Sequence, residues 1–278
     1  MPELPEVQAH AERLTEAFRG AVLERFIPIS FTALKTFDPP PEDAVGRPLD
    51  GVGRRGKYLL LGFGDRTFVV HLMQGGRLRV DDKQAAKPRG GLARWRFEDG
   101  RALLLTEAGT EKRAGVWVVA GDPLGQPPVD DLGPEADTID AATLKARLDG
   151  SGQRLHGLLR DQGTVAGIGR RLANEATHRA KLSPFAKSGS LDDEEIDRLV
   201  AAIHESIEEG LAYERTRDDM SSSKERPGNV HHRTGEACPV CGDDVRAVEY
   251  RSYTVNYCPT CQTGGRILAD NTTSKFLK

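Results

Sequence analysis

Apolar positions recur along this chain with two different periods, and the change of period divides it. In ELPEVQAHAERLTEAF, Val7, Ala11, Leu14 and Phe18 fall at i, i+4, i+7 and i+11. That single stripe predicts a helix, which Gly20 ends. From there to Gly121 the apolar residues come in short runs, FIPI, KYLLLGF, TFVVHLM, ARWRFEDG, ALLLTE and GVWVVA, separated by Gly, Pro and Asp. Runs of this length between turn residues predict an antiparallel β-sandwich or barrel, with DPPPED as a stiff connection. Past the proline-rich DPLGQPPVDDLGPEADT the period lengthens. DAATLKARLDG, RLHGLLRDQ, GRRLANEATHRAKL and LDDEEIDRLVAAIHESIEEGLAYE predict helices, the last capped by Ser190 or Asp192. RTRDDMSSSKERPGNVHHRTGE is polar and reads as a mobile lead into a cysteine-bearing segment, and the residues after Gln262 show no usable period.

The pattern therefore predicts an α+β multidomain chain. Its expected parts are a helix plus sandwich at 1–121, a linker at 122–134, a helical domain at 135–225, a cysteine module at 226–264 and a tail at 265–278. Composition adds little: 38% hydrophobic and 29% charged residues are ordinary for a globular protein. No run approaches the ~18 apolar residues of a membrane span, and the start lacks a basic-then-apolar secretory signal, so a cytoplasmic location is expected. The net charge of −3 conceals a partition. Between Lys145 and Lys187 nine Lys/Arg face three acidic residues, enough for a local phosphate-binding surface whatever the total.

Four cysteines are the sharpest local signal. Cys238-Pro-Val-Cys241 and Cys258-Pro-Thr-Cys261 are two CxxC pairs sixteen residues apart, the ligand spacing of a structural four-thiolate zinc site on a β-hairpin. A redox pair or an iron–sulfur cluster fits less well. Four thiolates close the coordination shell, so this zinc would fold the hairpin and catalyse nothing. DQGTVAGIGRRLANEATHRAKLSP places a Gly-x-Gly turn before a helix, either an anion site at its N-terminus or a tight helical corner. In GRRGKYLLL, Lys57 stands at the mouth of a strand as a phosphate contact, a proton-transfer aid or an edge charge. The opening MPELPE has two readings as well. Pro and Glu suit the first turn of a helix. Alternatively, loss of Met1 leaves Pro2 with a secondary amine, partly neutral near pH 7 and able to form an iminium with a carbonyl carbon, with Glu3 moving protons.

MPELPEV, GRRGKYLLL, HLMQGGRLR, LGPE, DQGTVAGIG with ANEATHRAKLSP, and CPTCQ occur in that order over roughly residues 1–262. Together they resemble the formamidopyrimidine-DNA glycosylase/endonuclease VIII family of base-excision repair. The resemblance implies a leading helix on an N-terminal β-sandwich, a helix–two-turn–helix domain and a C-terminal zinc-finger hairpin. It implies a monomer acting on damaged double-stranded DNA with one structural Zn2+, cytoplasmic and nucleoid-associated. It makes Pro2 the nucleophile at C1′, Glu3 the proton-transfer carboxylate, Lys57 the phosphate-contacting lysine and Glu6 a further acidic residue of the opening motif. Base release is followed by β-elimination, and often δ-elimination, at the abasic site.

His71, Gln74, Arg113, His156, Gly169, Arg170, Arg251 and Tyr253 match positions expected to meet DNA, but several depart from the family pattern. Arg170 stands where Asn is common. Tyr253 stands where the zinc hairpin usually carries arginine, with Arg251 the nearest on the same strand face. Gln74 replaces a Met, Ala114 replaces a Phe wedge, and His156 replaces a Lys. Imine chemistry is therefore expected with an open lesion preference: oxidised purines, oxidised pyrimidines or abasic sites. The alternatives are an abasic-site lyase with little base removal and a non-catalytic DNA-binding zinc-finger protein. His204, His231 and His232 are expected to be solvated and to bind no second metal.

Overall fold

A computed structural model describes residues 1–109, 111–220 and 225–268, so the expected tail lies outside the described residues from 269 onward. The chain divides into one unit of Met1–Asp131 with Asp218–Met220 and a second comprising the rest. Among the described residues no helix is long and apolar enough to cross a membrane.

The first unit opens with helix α1 (Leu4–Phe18), whose predicted stripe is buried. Pro5 preorganises its first turn, and Glu3 and Glu6 form a capping box in which the Glu3 N–H donates to Glu6 Oε2 at 3.0 Å. Strands β1 (Leu23–Pro28), β2 (Gly51–Arg55), β3 (Tyr58–Phe63), β4 (Arg66–His71), β5 (Gly76–Val80), β6 (Gly91–Phe97), β7 (Ala102–Glu107) and β8 (Gly115–Ala120) follow. They build two four-stranded antiparallel sheets, ordered β1-β6-β7-β5 and β2-β3-β4-β8. Aromatics fill the space between the sheets: Trp95 of the first meets Phe68 of the second edge-on at 5.7 Å, and Phe26 packs on both. The β-sandwich expectation is met.

The second unit contains α2 (Ala141–Leu148), α3 (Leu155–Leu159), α4 (Arg170–Arg179) and α5 (Asp193–Arg215), then the hairpin β9 (Arg246–Glu249) and β10 (Thr254–Tyr257) and the short α6 (Pro259–Thr263). Asp192, not Ser190, caps α5, its side chain accepting from the Glu195 N–H at 2.8 Å. The LGPE motif has a backbone role here. The Gly133 N–H donates to the Gln162 carbonyl and the Ala166 N–H to the Pro134 carbonyl, each at 2.8 Å, pairing this segment with the loop before α4. A Cβ on Gly133 would stand 2.5 Å from the Gly163 oxygen and 2.6 Å from the Thr164 oxygen, so only glycine permits that approach.

Two expectations need correction. The segment after α5 is no uniform polar lead, although residues 221–224 lie outside the described part. Met220 is buried in the sandwich core. Further on, both oxygens of Glu175 on α4 accept the N–H groups of Asn229, Val230 and His231 at 2.7, 3.1 and 2.8 Å. His231, expected to be solvated, is buried, and Asn174 Nδ2 lies 2.9 Å from its Nδ1. A single methionine and a single helical carboxylate create no periodicity, which is why hydropathy alone misreads the segment.

Replacing Met220 with Ala is expected to cost the sandwich unit about 2–5 kcal/mol, whereas Leu should cost under about 1.5 kcal/mol. Urea denaturation followed by Trp95 and Trp117 fluorescence measures both; equal midpoints for Ala and wild type would show that the side chain carries no packing energy.

Candidate active site and metal centre

The N-terminal residues of the opening motif are held by two anchors between α1 and β2. Thr15 Oγ1 accepts the Val52 N–H at 2.8 Å and donates to the Val52 carbonyl at 3.1 Å. Seven residues nearer the start, Gln8 Oε1 accepts from Arg54 Nε at 3.1 Å. Seven helical residues span about 10 Å and two strand residues about 7 Å, so helix and strand run antiparallel. The same progression carries the first turn of α1 toward the β2–β3 tip. Lys57 occupies that tip, in a two-residue turn whose other member, Gly56, has φ +54°. Pro2, Glu3, Glu6 and Lys57 are all buried. An exposed Met1 precedes Pro2 and makes its nitrogen an amide.

His71 ends β4 directly opposite Tyr58, the residue after Lys57, with ring centroids 4.5 Å apart. Burial first, and the Lys57 charge second, push its pKa down to about 4, so the ring is neutral at pH 7. Met73 meets the ring at Nδ1 with both its backbone N–H, at 3.3 Å, and its Sδ, at 2.7 Å. Met1, Met73, Gln74, Gly75, Glu107 and Arg113 line a cavity of about 540 Å³ beside the N-terminus. Gln74 is the exposed tip of its loop. Glu107, itself buried, accepts the backbone N–H groups of Arg113 and Ala114 at 2.6 and 2.8 Å. That grip leaves the Arg113 side chain 66% exposed, while Ala114 is buried in the core. The position expected to offer a wedge offers none.

In the second unit, Gly169 is the N-cap of α4, with no side chain capping the helix, and Arg170 is its first residue. Gln162 braces the preceding turn: its Oε1 accepts the Gly167 N–H at 3.0 Å and its Nε2 donates to the carbonyls of Arg160 and Ile168. Tyr253 lies in the β9–β10 connection and stacks on Tyr250 at 4.5 Å. On its ring sits a guanidinium that sequence reasoning passed over: Arg160 Cζ lies 4.2 Å from the Tyr253 centroid. His156 is parallel to the same ring, 6.2 Å away. Burial, then the Arg160 charge, push His156 down to about 3, so this neutral imidazole cannot replace a lysine's charge. Arg170 Nη1 reaches the Ser252 carbonyl at 3.5 Å, and Arg251 is exposed beside it. His156, Gly169, Arg170, Arg251 and Tyr253 thus gather in the second unit, while His71, Gln74 and Arg113 belong to the first. Arg160 on its own carried no sequence signal, since its partner lies 93 residues away (253 − 160).

The cysteines converge. Cys238 Sγ lies 3.9 Å from Cys261 Sγ, and Cys241 Sγ lies 3.3 Å from Cys258 Sγ. Sulfurs on a tetrahedral metal at about 2.3 Å are about 3.8 Å apart, so each of these two pairs has a separation near that of ligands sharing one ion. Burial and the neighbouring thiols push Cys258 up to about 11 and raise Cys261 as well, a penalty that a divalent cation removes. A fifth donor, His178 Nε2, stands 3.3 Å from Cys238 Sγ, and its atom with those of Cys238, Cys258 and Cys261 falls within 4.8 Å.

Residues 1–112 match the formamidopyrimidine-DNA glycosylase N-terminal domain, and residues 132–222 match the formamidopyrimidine-DNA glycosylase H2TH domain. The chain belongs to the formamidopyrimidine-DNA glycosylase family. Among its relatives, the formamidopyrimidine-DNA glycosylase of Symbiobacterium thermophilum is 32% identical, over 94% of this chain and 89% of that protein. An uncharacterized formamidopyrimidine-DNA glycosylase-like protein of Mycobacterium tuberculosis is 39% identical over 55% of this chain and 99% of its own length. The fold is also that of a Lactococcus lactis family member solved with Fapy-dG-containing DNA, at a TM-score of 0.84 and 23% identity over 94% of this chain and 100% of that one.

Substituting Lys57 with Gln is expected to raise the His71 pKa from about 4 without reaching 6.5, because the larger cause, burial, remains. An NMR titration of the His71 ring protons reads this, and an unchanged value would separate the two side chains electrostatically.

Proposed function

We propose that this chain is a bifunctional DNA glycosylase and abasic-site lyase that removes oxidised bases through a Schiff base on Pro2. The reading rests above all on one juxtaposition: the Pro2–Glu3 start of α1 is directed at the Lys57 hairpin tip in a domain that belongs to this family. With Met1 removed, the Pro2 nitrogen attacks C1′ of an extruded nucleotide, and the C1′–N bond to the base breaks as the base leaves with a proton. Glu3 delivers a proton to the ring oxygen as the sugar opens to the iminium. Loss of a C2′ proton then expels the 3′ phosphate by β-elimination. Glu6 serves as a positioning residue, since its carboxylate holds the Glu3 backbone N–H. Lys57, His71, Arg113 and the Arg170 turn hold the strand by its phosphates. The four cysteines hold one structural Zn2+, and the protein works as a cytoplasmic monomer on damaged duplex DNA.

One observation favours the lyase-weighted alternative. Ala114 is buried and Gln74 is polar, so neither of the two positions expected to fill the gap left by an extruded base carries a large apolar side chain.

Borohydride reduction on abasic duplex DNA is expected to trap the processed chain covalently; Pro2→Gly should trap far less, and an N-terminal extension should abolish trapping. No adduct from protein lacking Met1 would end the imine mechanism. Base release in the same assay distinguishes the two readings, because release well below nicking identifies the lyase.

Arg160→Ala is expected to weaken binding to duplexes of any sequence and to lower the slope of log K against log salt by about 1, the signature of one lost phosphate contact. An unchanged slope in fluorescence anisotropy would leave Arg160 as packing on Tyr253 alone.

A further inference from the structure

Four donor atoms, His178 Nε2 and the sulfurs of Cys238, Cys258 and Cys261, lie within 4.8 Å of one another, and Cys241 Sγ stands 3.3 Å from Cys258 Sγ as a fifth; of the five, only the histidine comes from outside the finger. His178 is in the last turn of α4, and only 2% of it is exposed. Its Nε2 faces Cys238 Sγ at 3.3 Å, while its Nδ1 is buried and meets no hydrogen-bond partner among the described residues. The approach is fixed from both sides. Gln262, the residue after the second cysteine pair, donates through Nε2 to the Leu182 carbonyl just past α4 at 2.9 Å, and its Oε1 accepts the Cys258 N–H at 2.8 Å. The donors differ in protection. Cys238 and Cys258 are buried and Cys261 is half-buried, whereas Cys241 is exposed.

We infer that His178 is the reserve ligand of this metal centre. With all four thiolates bound, its Nε2–H donates to Cys238 Sγ and ties the finger to α4. When Cys241 is lost, the ring proton passes by way of solvent from Nε2 to Nδ1, and the freed Nε2 lone pair takes the vacated position. Nitrogen at about 2.0 Å and sulfur at about 2.3 Å on a tetrahedral ion are about 3.5 Å apart, so the present 3.3 Å already matches the ligated separation. Exchange therefore requires the ion to shift within its cluster, not the helix to move. The exposed cysteine pair member becomes dispensable for metal retention, and the buried histidine becomes essential only in its absence.

The inference rests on the metal site proposed above, and cobalt uptake by the whole chain tests the two separately. The unaltered protein should bind one Co2+ with the charge-transfer intensity of four thiolates; failure here overturns the metal site and the inference with it. Given that uptake, Cys241→Ala should still bind one equivalent, with charge-transfer intensity lower by about a quarter and d–d bands at higher energy. Adding His178→Gln to Cys241→Ala should weaken Co2+ binding at least tenfold. His178→Gln alone should keep the four-thiolate spectrum yet release Zn2+ to a chelator about 10–100-fold faster, as lost outer-shell partners do. The inference is overturned if Cys241→Ala takes up no cobalt, or if its spectrum and affinity are unchanged by His178→Gln. X-ray absorption of zinc-loaded Cys241→Ala provides a readout independent of affinity: imidazole scattering beside three sulfurs supports it, and its absence does not.

Discussion

A helix cannot hold its own first residue still, because its early N–H groups lack intrahelical partners and its end frays. In this chain the restraint comes from the side. Thr15 and Gln8 bind α1 to the backbone and side chain of β2, and the Glu3–Glu6 box closes the first turn. These contacts hold the first turn of α1 along β2, on the side of the β2–β3 tip. A terminal amine is a good nucleophile only where its approach to carbon is already determined. The buried stripe of α1 against the sandwich supplies the packing behind those polar contacts.

In the second unit α4 performs the corresponding task. Over three turns it presents Arg170 to the finger loop, Asn174 to His231, Glu175 to the backbone of 229–231 and His178 to Cys238. Because successive helical residues rotate by about 100°, one short helix faces several neighbours and ties them together. Nearly every residue of α4 is accordingly buried, polar ones included. The Tyr253 platform extends the same logic. An aromatic ring cannot make a phosphate contact by charge, yet it can hold a guanidinium supplied from the C-cap of α3, so the positive charge beside Tyr253 comes from a different point in the sequence.

Much of this was legible without coordinates. The apolar periods located the sandwich strands other than β2 and β5, which are short and rich in Gly and Arg, and located the helical segments, of which α3 forms only over Leu155–Leu159, since burial on one face imposes its period on the sequence. The CxxC spacing forecast a metal cluster because two residues between cysteines let both sulfurs reach one ion. Other features were invisible for equally physical reasons. Met220, His231, His178 and Arg160 are single residues in polar or helical surroundings, and what decides their role is a partner far away in the chain.

The sequence by itself determined which residues can do chemistry: an imino acid at position 2 beside a carboxylate, a lysine in a two-residue turn, and four thiols in two pairs. Local chemistry and local period are properties of short stretches, so a one-dimensional reading captures them. Only the tertiary structure decided what state those residues are in. Burial makes His71 and His156 neutral, removes Ala114 from service as a wedge, and puts a histidine beside the sulfurs. Desolvation and contact depend on everything that surrounds a side chain, and that environment is assembled from distant parts of the chain.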